Sequence, residues 1–372
     1  MKKTWSFAIA ALMTGSLLSG CSNSKPAETS ASAASTAAQT TAETETTIEA
    51  FTTEAESETA ESASDPSAPH AENSDVSIRV GSLKGPTSMG LAGLMDKSKN
   101  GEALGNYEFT MVTAADELLA SVVGGNVDIA LVPANVASIL YQKTQSGISV
   151  IDINTLGVLN IVASDDSIKS AADLKGKTLY LTGKGTTPDY VIRYLLSASG
   201  LSDSDVTLEY KSEPTEVAAV LKEQPDAIGL LPQPFVTAAC AQNDKLKIVL
   251  DLTKEWDALQ GEGGSRLVTG VTVVRNEFMK ENPDAVDTFL KEHEESAVFA
   301  NEKSEDASKL IADMGIVAKA PIAQKAIPYC NIVCLTGEEM KSALNGYLQV
   351  LFEQNPKSVG GQLPDDGFYY IP

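Results

Sequence analysis

The feature that most constrains the fold of this chain is a strand-to-helix corner that occurs twice. The segment LKGPTSMG at residues 83–90 resembles TGKGTTPD at residues 182–189, about 100 residues later. Each segment follows a short apolar run and precedes residues with helical spacing of apolar side chains. A chain of 372 residues with two such corners is expected to contain two similar α/β units.

The elements around the two corners follow in the same order. In the first half, the predicted strands are 77–83, 107–114 and 127–133, and the predicted helices are 88–97, 115–125 and 135–142. In the second half, the strands are 177–182, 206–212 and 226–232, and the helices are 187–200, 214–224 and 234–242. Alternating strands and helices predict parallel sheets with helices on both faces, and therefore an α/β fold. Further helices are predicted at 281–302 and at 336–355, the latter with a capping box of Thr336 and Glu339.

The carboxyl ends of the strands are the expected ligand site, because helix N-termini offer free N–H groups there. Four such corners, two in each half, would face one cleft. The candidate ligand-binding residues are Lys84, Gly85, Pro86, Thr87, Ser88, Met89, Asn135, Thr155, Gly157, Gly185, Thr186, Thr187, Pro188, Gln233 and Trp256. Each polar member can equally be a helix cap or turn residue, and Trp256 can equally pack against its own helix. Lys184 and Arg266 could contact an anion or point to water.

The N-terminal segment is expected to be a secretion signal followed by a tether. Residues 1–20 have a basic start and an apolar stretch that is too short to span a membrane. The ending LSGC resembles a bacterial lipoprotein processing box, which implies a lipid on Cys21. Residues 21–75 are rich in Ser, Thr, Ala and Glu and cannot bury enough apolar surface to fold, so we expect a disordered, extended tether.

Charge, cysteine and histidine content exclude several functions. The net charge of −22 makes nucleic acid an improbable partner. Only His70 and His293 are present, and His293 is expected on a solvated helix face, so no metal site and no cofactor are predicted. Cys330 and Cys334 could form a disulfide only within a helical turn, since extended chain would hold them too far apart. We favour free thiols.

Several segments resemble the solute-binding proteins of bacterial ABC transporters. They are DLKGKTLYL at 173–181, GKGTTPDYV at 183–191, YKSE at 210–213 and LLPQPFV at 230–236. The most similar subgroup binds sulfonates, nitrate, riboflavin or thiamine precursors, and the resemblance covers about residues 76–372. It implies a two-lobed fold of the periplasmic-binding-protein type II, with a ligand cleft between the lobes. Lobe 1 would comprise 76–165 and 266–372, lobe 2 would comprise 166–265, and the hinge crossings would lie within 155–164 and 266–275.

The resemblance also implies a function. The chain would be a lipid-anchored, monomeric capture protein on the outer face of the bacterial cytoplasmic membrane. It would close on a small organic solute and deliver it to a membrane permease driven by an ATPase, without being an enzyme itself. Two alternatives remain open: an enzyme of cofactor-precursor biosynthesis on the same fold, and a surface sensor or interaction lipoprotein. The sequence does not separate a sulfonate from a vitamin precursor as the ligand.

Overall fold

The computed structural model describes residues 76–261 and 264–372. The described residues belong to one compact unit. The predicted signal peptide at 1–20, the lipid attachment at Cys21 and the tether at 21–75 lie outside these ranges.

The first lobe is built on a six-stranded mixed sheet. Its strands are β1 (Ser77–Leu83), β2 (Asn106–Val112), β3 (Ile129–Pro133), β4 (Ile148–Leu156), β10 (Val268–Arg275) and β11 (Ile332–Leu335). Their order across the sheet is β11-β4-β10-β3-β1-β2. β1 pairs in parallel with β2 and β3, whereas β10 is antiparallel to β3 and β4, and β11 is antiparallel to β4.

The second lobe is built on a five-stranded mixed sheet with a related plan. Its strands are β5 (Leu159–Ala163), β6 (Thr178–Thr182), β7 (Thr207–Lys211), β8 (Ile228–Pro232) and β9 (Lys247–Asp251). Their order is β7-β6-β8-β5-β9, and β6 is parallel to β7 and β8 while β5 is antiparallel to β8 and β9. The parallel trio β7-β6-β8 therefore repeats the trio β2-β1-β3 of the first sheet.

Thirteen α-helices connect and cover the described strands. They are α1 (Pro86–Met89), α2 (Ala92–Lys99), α3 (Ala115–Val123), α4 (Ala134–Lys143), α5 (Thr187–Ala198), α6 (Pro214–Glu223), α7 (Phe235–Gln242), α8 (Leu252–Gln260), α9 (Asn276–Glu281), α10 (Pro283–Glu302), α11 (Ser304–Asp313), α12 (Ala320–Ala326) and α13 (Gly337–Gln354). Short 3₁₀ helices lie at Ala171–Leu174, Ile327–Tyr329, Pro356–Val359 and Asp366–Phe368. Among the described residues, no helix combines the length and the apolar character needed to cross a membrane.

The predicted two-lobed α/β fold is confirmed, and the three predicted strands of each half pair in parallel, but both sheets also contain antiparallel strands that were not predicted. In each sheet, the strand next to the parallel trio runs the opposite way: β10 beside β3, and β5 beside β8. Neither strand follows a crossover helix of its own trio. Each strand instead follows directly after the chain crosses from one sheet to the other. It therefore runs through its sheet in the direction opposite to that of the parallel trio.

The chain passes between the sheets at two places. The first passage is Gly157–Val158, between the end of β4 and the start of β5. A Cβ at Gly157 would collide with Thr253 Oγ1 and approach Leu267 within 2.8 Å, so the passage requires glycine. The second passage lies between α8 and β10. β5 thus pairs within the second sheet. The predicted boundary at residue 165 had grouped the residues of β5 with lobe 1. The lobe boundaries themselves stay predictions.

Three local expectations are corrected by the structure. Helix α4 begins at Ala134 with Pro133 before it, so Asn135 lies in the first turn rather than at the cap. Thr336 precedes α13 but its side chain forms no capping hydrogen bond. His293 is fully buried rather than solvated, because it lies on the same apolar stripe of α10 as Phe289 and Ala297.

Candidate ligand-binding cleft

A cavity of about 380 Å³ lies where the strand-to-helix corners of the two lobes meet. It is lined by eight predicted residues: Lys84, Gly85, Pro86, Thr87, Asn135, Thr186, Thr187 and Pro188. It is also lined by five residues that were not predicted: Leu83, Ala115, Pro133, Val136 and Thr269. The volume is at the lower end of the range of small-molecule sites in proteins.

The first-lobe wall is held by a tight corner between β1 and α1. Gly85 adopts φ 145°, a conformation that other residues rarely reach. Thr87 Oγ1 donates to the carbonyl oxygen of Leu83 at 3.3 Å, which ties the helix start back to the strand. A Cβ at Gly270 would lie 2.5 Å from the Thr87 methyl group, so the absence of a side chain on β10 lets this corner pack closely.

The second-lobe wall is the loop before α5, and a buried carboxylate anchors it. Asp189 Oδ2 accepts from the backbone N–H of Gly185 at 2.7 Å. Its Oδ1 accepts from Tyr210 Oη and from Arg193 Nε, both at 2.6 Å. Burial, together with the neighbouring Asp189, raises the pKa of Tyr210 to about 12. The network fixes the loop conformation that presents Thr186 and Thr187 to the cavity.

The two walls touch each other at Thr187. Its Oγ1 donates to Asn135 Oδ1 on α4 and accepts from Tyr347 Oη on α13, each at 3.5 Å. Asn135 Nδ2 in turn donates to the carbonyl oxygen of Ser358 at 3.3 Å. These distances are at the outer limit for hydrogen bonds, so the hydroxyl and the amide can exchange these contacts for stronger ones to a ligand.

Thr269 is a candidate ligand contact that sequence reasoning missed. It lies on β10 and lines the cavity, and its Oγ1 is buried without any hydrogen-bond partner among the described residues. Buried hydroxyl groups normally have a partner, so this one is free to bond a ligand. Its position inside the predicted crossing at 266–275 was the available signal.

Seven other predicted residues do not line the cavity. They are Trp256 and a group of six residues, three of which are Ser88, Met89 and Thr155. Ser88 is buried and donates to the carbonyl oxygen of Leu83 at 2.5 Å. Met89 is buried in an apolar cluster with α10, α11 and α12. Thr155 is buried on β4 and donates to Asn154 Oδ1. These three side chains are used by the protein itself.

The other three are also engaged elsewhere. The carbonyl oxygen of Gly157 accepts from Asn331 Nδ2 at 2.5 Å. The N–H of Gly185 is directed to Asp189 and is therefore not free for a ligand. Gln233 is buried, and its Oε1 accepts from Thr237 in the first turn of α7.

Of the two roles left open for Trp256, ligand stacking and packing, the structure shows packing. Its indole is fully buried, and Nε1 donates to the carbonyl oxygen of Ser265 at 3.2 Å. The ring packs between Tyr194 and Tyr347, with centroid distances of 4.7 and 5.6 Å. Because no face of the ring is open, we leave Trp256 out of the site.

The cavity is largely apolar, with a few polar groups. Six of its lining residues are Leu, Val, Ala or Pro, four are Thr and one is Asn. Lys84 is the one ionisable residue among them. Lys184 lies instead with its Nζ 5.4 Å from the ring centroid of Tyr210, and Arg266 pairs with Asp257 at 3.7 Å. The site can therefore enclose an apolar body and hold one anionic or hydrogen-bonding group.

These features define a two-lobed protein of the periplasmic-binding-protein class. Residues 108–307 match the model of the family described as NMT1/THI5 like, which covers more than half of the chain. The chain therefore belongs to the NMT1/THI5-like family.

Individual relatives agree with this assignment. A candidate binding protein of Brucella abortus (strain 2308) is 26% identical over 214 residues, 56% of this chain and 63% of the relative, so the match spans less than two thirds of that relative. The structure of an ABC transporter protein from Parabacteroides distasonis is 27% identical, with a TM-score of 0.66, covering 80% of this chain and 99% of the other. The periplasmic aliphatic sulphonate binding protein SsuA of Escherichia coli is 18% identical, with a TM-score of 0.62, covering 80% and 93%. This last likeness concerns the fold alone.

Proposed function

We propose that this protein is the solute-binding component of an ABC importer, and that it encloses a small organic molecule between its lobes. The observation that carries the proposal is the cavity, whose walls come from both lobes. One polar side chain from each lobe meets there, in the contact between Thr187 and Asn135. A ligand there would contact both lobes at once. Such contacts favour the closed arrangement of a hinged protein.

The ligand that fits best has an apolar body and a single oxygen-rich or anionic group. The apolar lining favours a hydrocarbon or ring of modest size, since burial of apolar surface supplies most of the binding free energy. Lys84, Thr187 and Thr269 can bond one head group. Sulfonates have this chemistry, as do phosphorylated or hydroxylated vitamin precursors.

Binding without chemical conversion fits the cavity better than catalysis does. General acid–base catalysis needs a group that changes its protonation state near the reacting atoms, most often His, Asp or Glu. None of these residue types lines the cavity, in which Lys84 is the one ionisable side chain. This composition supports a capture protein over an enzyme of cofactor-precursor biosynthesis on the same fold.

The proposed location is the outer face of the cytoplasmic membrane, with the lipid on Cys21 as the anchor and the acidic tether supplying reach. A permease and its ATPase would be the transport partners. Metabolic labelling with a palmitate analogue checks the anchor: the native chain should be labelled, and Cys21→Ser should not. Labelling that persists in Cys21→Ser would contradict the anchor without affecting the cleft.

A thermal-shift screen tests the ligand class directly. The panel consists of aliphatic and aromatic sulfonates, vitamin precursors, inorganic sulfate, dipeptides and metal ions. We expect a raised melting temperature with one organic member, because a ligand that binds only the folded state stabilises it by mass action. In Thr187→Val the same compound should bind about fivefold more weakly, for the loss of about 1 kcal/mol from one hydrogen bond. Stabilisation by dipeptides alone, or by no organic compound, would overturn the proposal.

A further inference from the structure

A cluster of three metal-ligating side chains lies in the first lobe, and none of the three lines the cavity. Asp152 comes from β4, His293 from α10 and Cys334 from β11. One ligand atom from each residue lies within 4.8 Å of the other two. Asp152 and His293 are fully buried, and Cys334 is partly exposed on the edge strand of the sheet.

The protein satisfies this cluster only in part. Asp152 Oδ2 lies 3.1 Å from His293 Nδ1, and Asp152 Oδ1 accepts from Thr272 Oγ1 at 2.8 Å. Asn154 Nδ2 donates to the same Thr272 hydroxyl at 3.2 Å. The other imidazole nitrogen, Nε2, is buried and has no hydrogen-bond partner within the described ranges. Nδ1 is therefore the nitrogen of His293 that faces Asp152 and would bind an ion at this cluster.

The charge of the cluster also favours a cation. Within the described residues, the one basic side chain paired with Asp152 is His293. A buried carboxylate is costly unless its charge is compensated. A carboxylate, a thiolate and a neutral imidazole together carry two negative charges, which a divalent ion would neutralise.

The ligand types identify the kind of metal. Sulfur and imidazole nitrogen are preferred by Zn²⁺ and similar transition metals, whereas Mg²⁺ and Ca²⁺ take oxygen ligands. Tetrahedral Zn²⁺ separates its ligand atoms by roughly 3.3–3.7 Å. The cluster therefore needs side-chain shifts on the order of 1 Å to reach that geometry. The exposed Glu294, next to His293 on α10, or a water molecule can supply the fourth ligand.

We propose that Asp152, His293 and Cys334 form a binding site for a divalent transition-metal ion of the Zn²⁺ type. The ion joins β4, α10 and β11, and so fixes the long helix α10 to the edge of the first sheet. The partly exposed Cys334 gives the ion a path from solvent. The three residues of this site are not among those that line the ligand cavity.

Titration with Co²⁺ tests the site on the full-length chain carrying Cys21→Ser, which removes an unrelated thiol. We expect a thiolate-to-Co²⁺ charge-transfer band in the near ultraviolet that saturates at one equivalent and disappears when Zn²⁺ is added. Cys334→Ser should abolish the band, and Cys240→Ser, the matched control, should retain it. Absence of the band in the parent chain, or its persistence in Cys334→Ser, would overturn the proposal.

A second variant separates coordination from folding. Thr272→Val preserves side-chain shape but removes the hydroxyl that orients Asp152. Loss of such an orienting bond typically weakens metal affinity about 10–100-fold. We therefore expect the same Co²⁺ band, reached at correspondingly higher metal concentration in competition with a chelator. Unchanged affinity in Thr272→Val would count against Asp152 as a ligand, and unchanged melting of the parent chain on adding Zn²⁺ would count against the site.

Discussion

Thr269 and Thr272 are three positions apart on β10, but their hydroxyl groups have different surroundings. Thr269 Oγ1 is buried without a partner at the cavity, whereas Thr272 Oγ1 bonds both Asp152 and Asn154. Replacement of a buried hydroxyl by a methyl group is costly when it leaves partners unpaired and nearly neutral when it does not. The pair therefore distinguishes a hydroxyl that serves the fold from one that is available to a ligand.

We expect Thr269→Val to leave the free energy of unfolding unchanged or up to about 1 kcal/mol higher, because no protein partner is lost. Thr272→Val should lower it by about 1–3 kcal/mol, because two buried groups lose a bond. Urea unfolding in metal-free buffer measures both. With the compound found in the thermal-shift screen, Thr269→Val should bind more weakly. A Thr269→Val variant as unstable as Thr272→Val would contradict this assignment.

At the scale of elements, the start of α5 depends on Asp189. This residue joins the loop at Gly185 to Arg193 on the same helix and to Tyr210 on β7. Arg193 has a second carboxylate partner, Asp203, which is mostly exposed. Exposed ion pairs contribute little to stability, whereas loss of a buried charged partner leaves other groups unpaired.

Asp189→Asn should therefore lower the free energy of unfolding by about 1–3 kcal/mol and weaken ligand binding, since the loop that carries Thr186 and Thr187 loses its anchor. Asp203→Asn, which removes the exposed partner of the same arginine, should change stability by about 0.5 kcal/mol or less. Chemical denaturation of the two variants side by side gives the comparison. Equal losses would mean that the carboxylate of Asp189 is not what holds the loop.

The order of elements could be predicted from the sequence, and the ends of single elements less well. β1 was predicted at its observed bounds. The start of α5 was predicted to within one residue, with Thr187 expected at the cap and observed as the first helical residue after Thr186, because Pro188 in the first turn is a strong start signal. The helix predicted at 88–97 is instead α1 and α2, separated by a turn. Local patterns do not reveal which tertiary contacts interrupt a helix.

The residues at the strand-to-helix corners could be predicted from the sequence. The roles of residues that depend on burial among distant elements could not. Eight corner residues meet at the cavity, as the repeated motif indicated. The sequence could not decide between the two roles of Trp256 and misjudged His293, because their surroundings come from distant elements, Tyr347 on α13 and Asp152 on β4. For His293, the spacing from Val286 and Phe289 on α10 was a usable signal, since it places the imidazole on the buried stripe of that helix.

At the scale of the whole molecule, several tyrosines make the fold sensitive to alkaline pH. Burial raises the pKa of Tyr107, Tyr347 and Tyr369, and that of Tyr210 to about 12. An unfolded tyrosine titrates near about 10. Above about pH 10 these tyrosines keep their protons in the folded state, whereas they lose them in the unfolded chain. Their contribution to the free energy of unfolding is therefore complete below about pH 10 and is lost as the pH rises through the folded pKa values.

We expect the free energy of unfolding to fall between about pH 10 and pH 12 in the native chain. Tyr210→Phe should reduce the steepness of this fall, because one titrating group is removed, although its stability at neutral pH should be lower through the loss of the bond to Asp189. Denaturant unfolding at a series of pH values measures the slope. A slope that is the same in Tyr210→Phe would show that Tyr210 does not contribute.

The two passages between the sheets have a consequence for how the chain matures. All five strands of the second sheet lie in one continuous stretch from Leu159 to Asp251, whereas the first sheet needs β10 and β11 from the far end of the chain. During synthesis, domains generally fold as units from the N-terminus. The inserted lobe can thus mature while its host remains an unfinished sheet, in which β3 pairs only with β1 and β4 has no strand partner. The interval before β10 emerges is therefore when a chaperone would matter most.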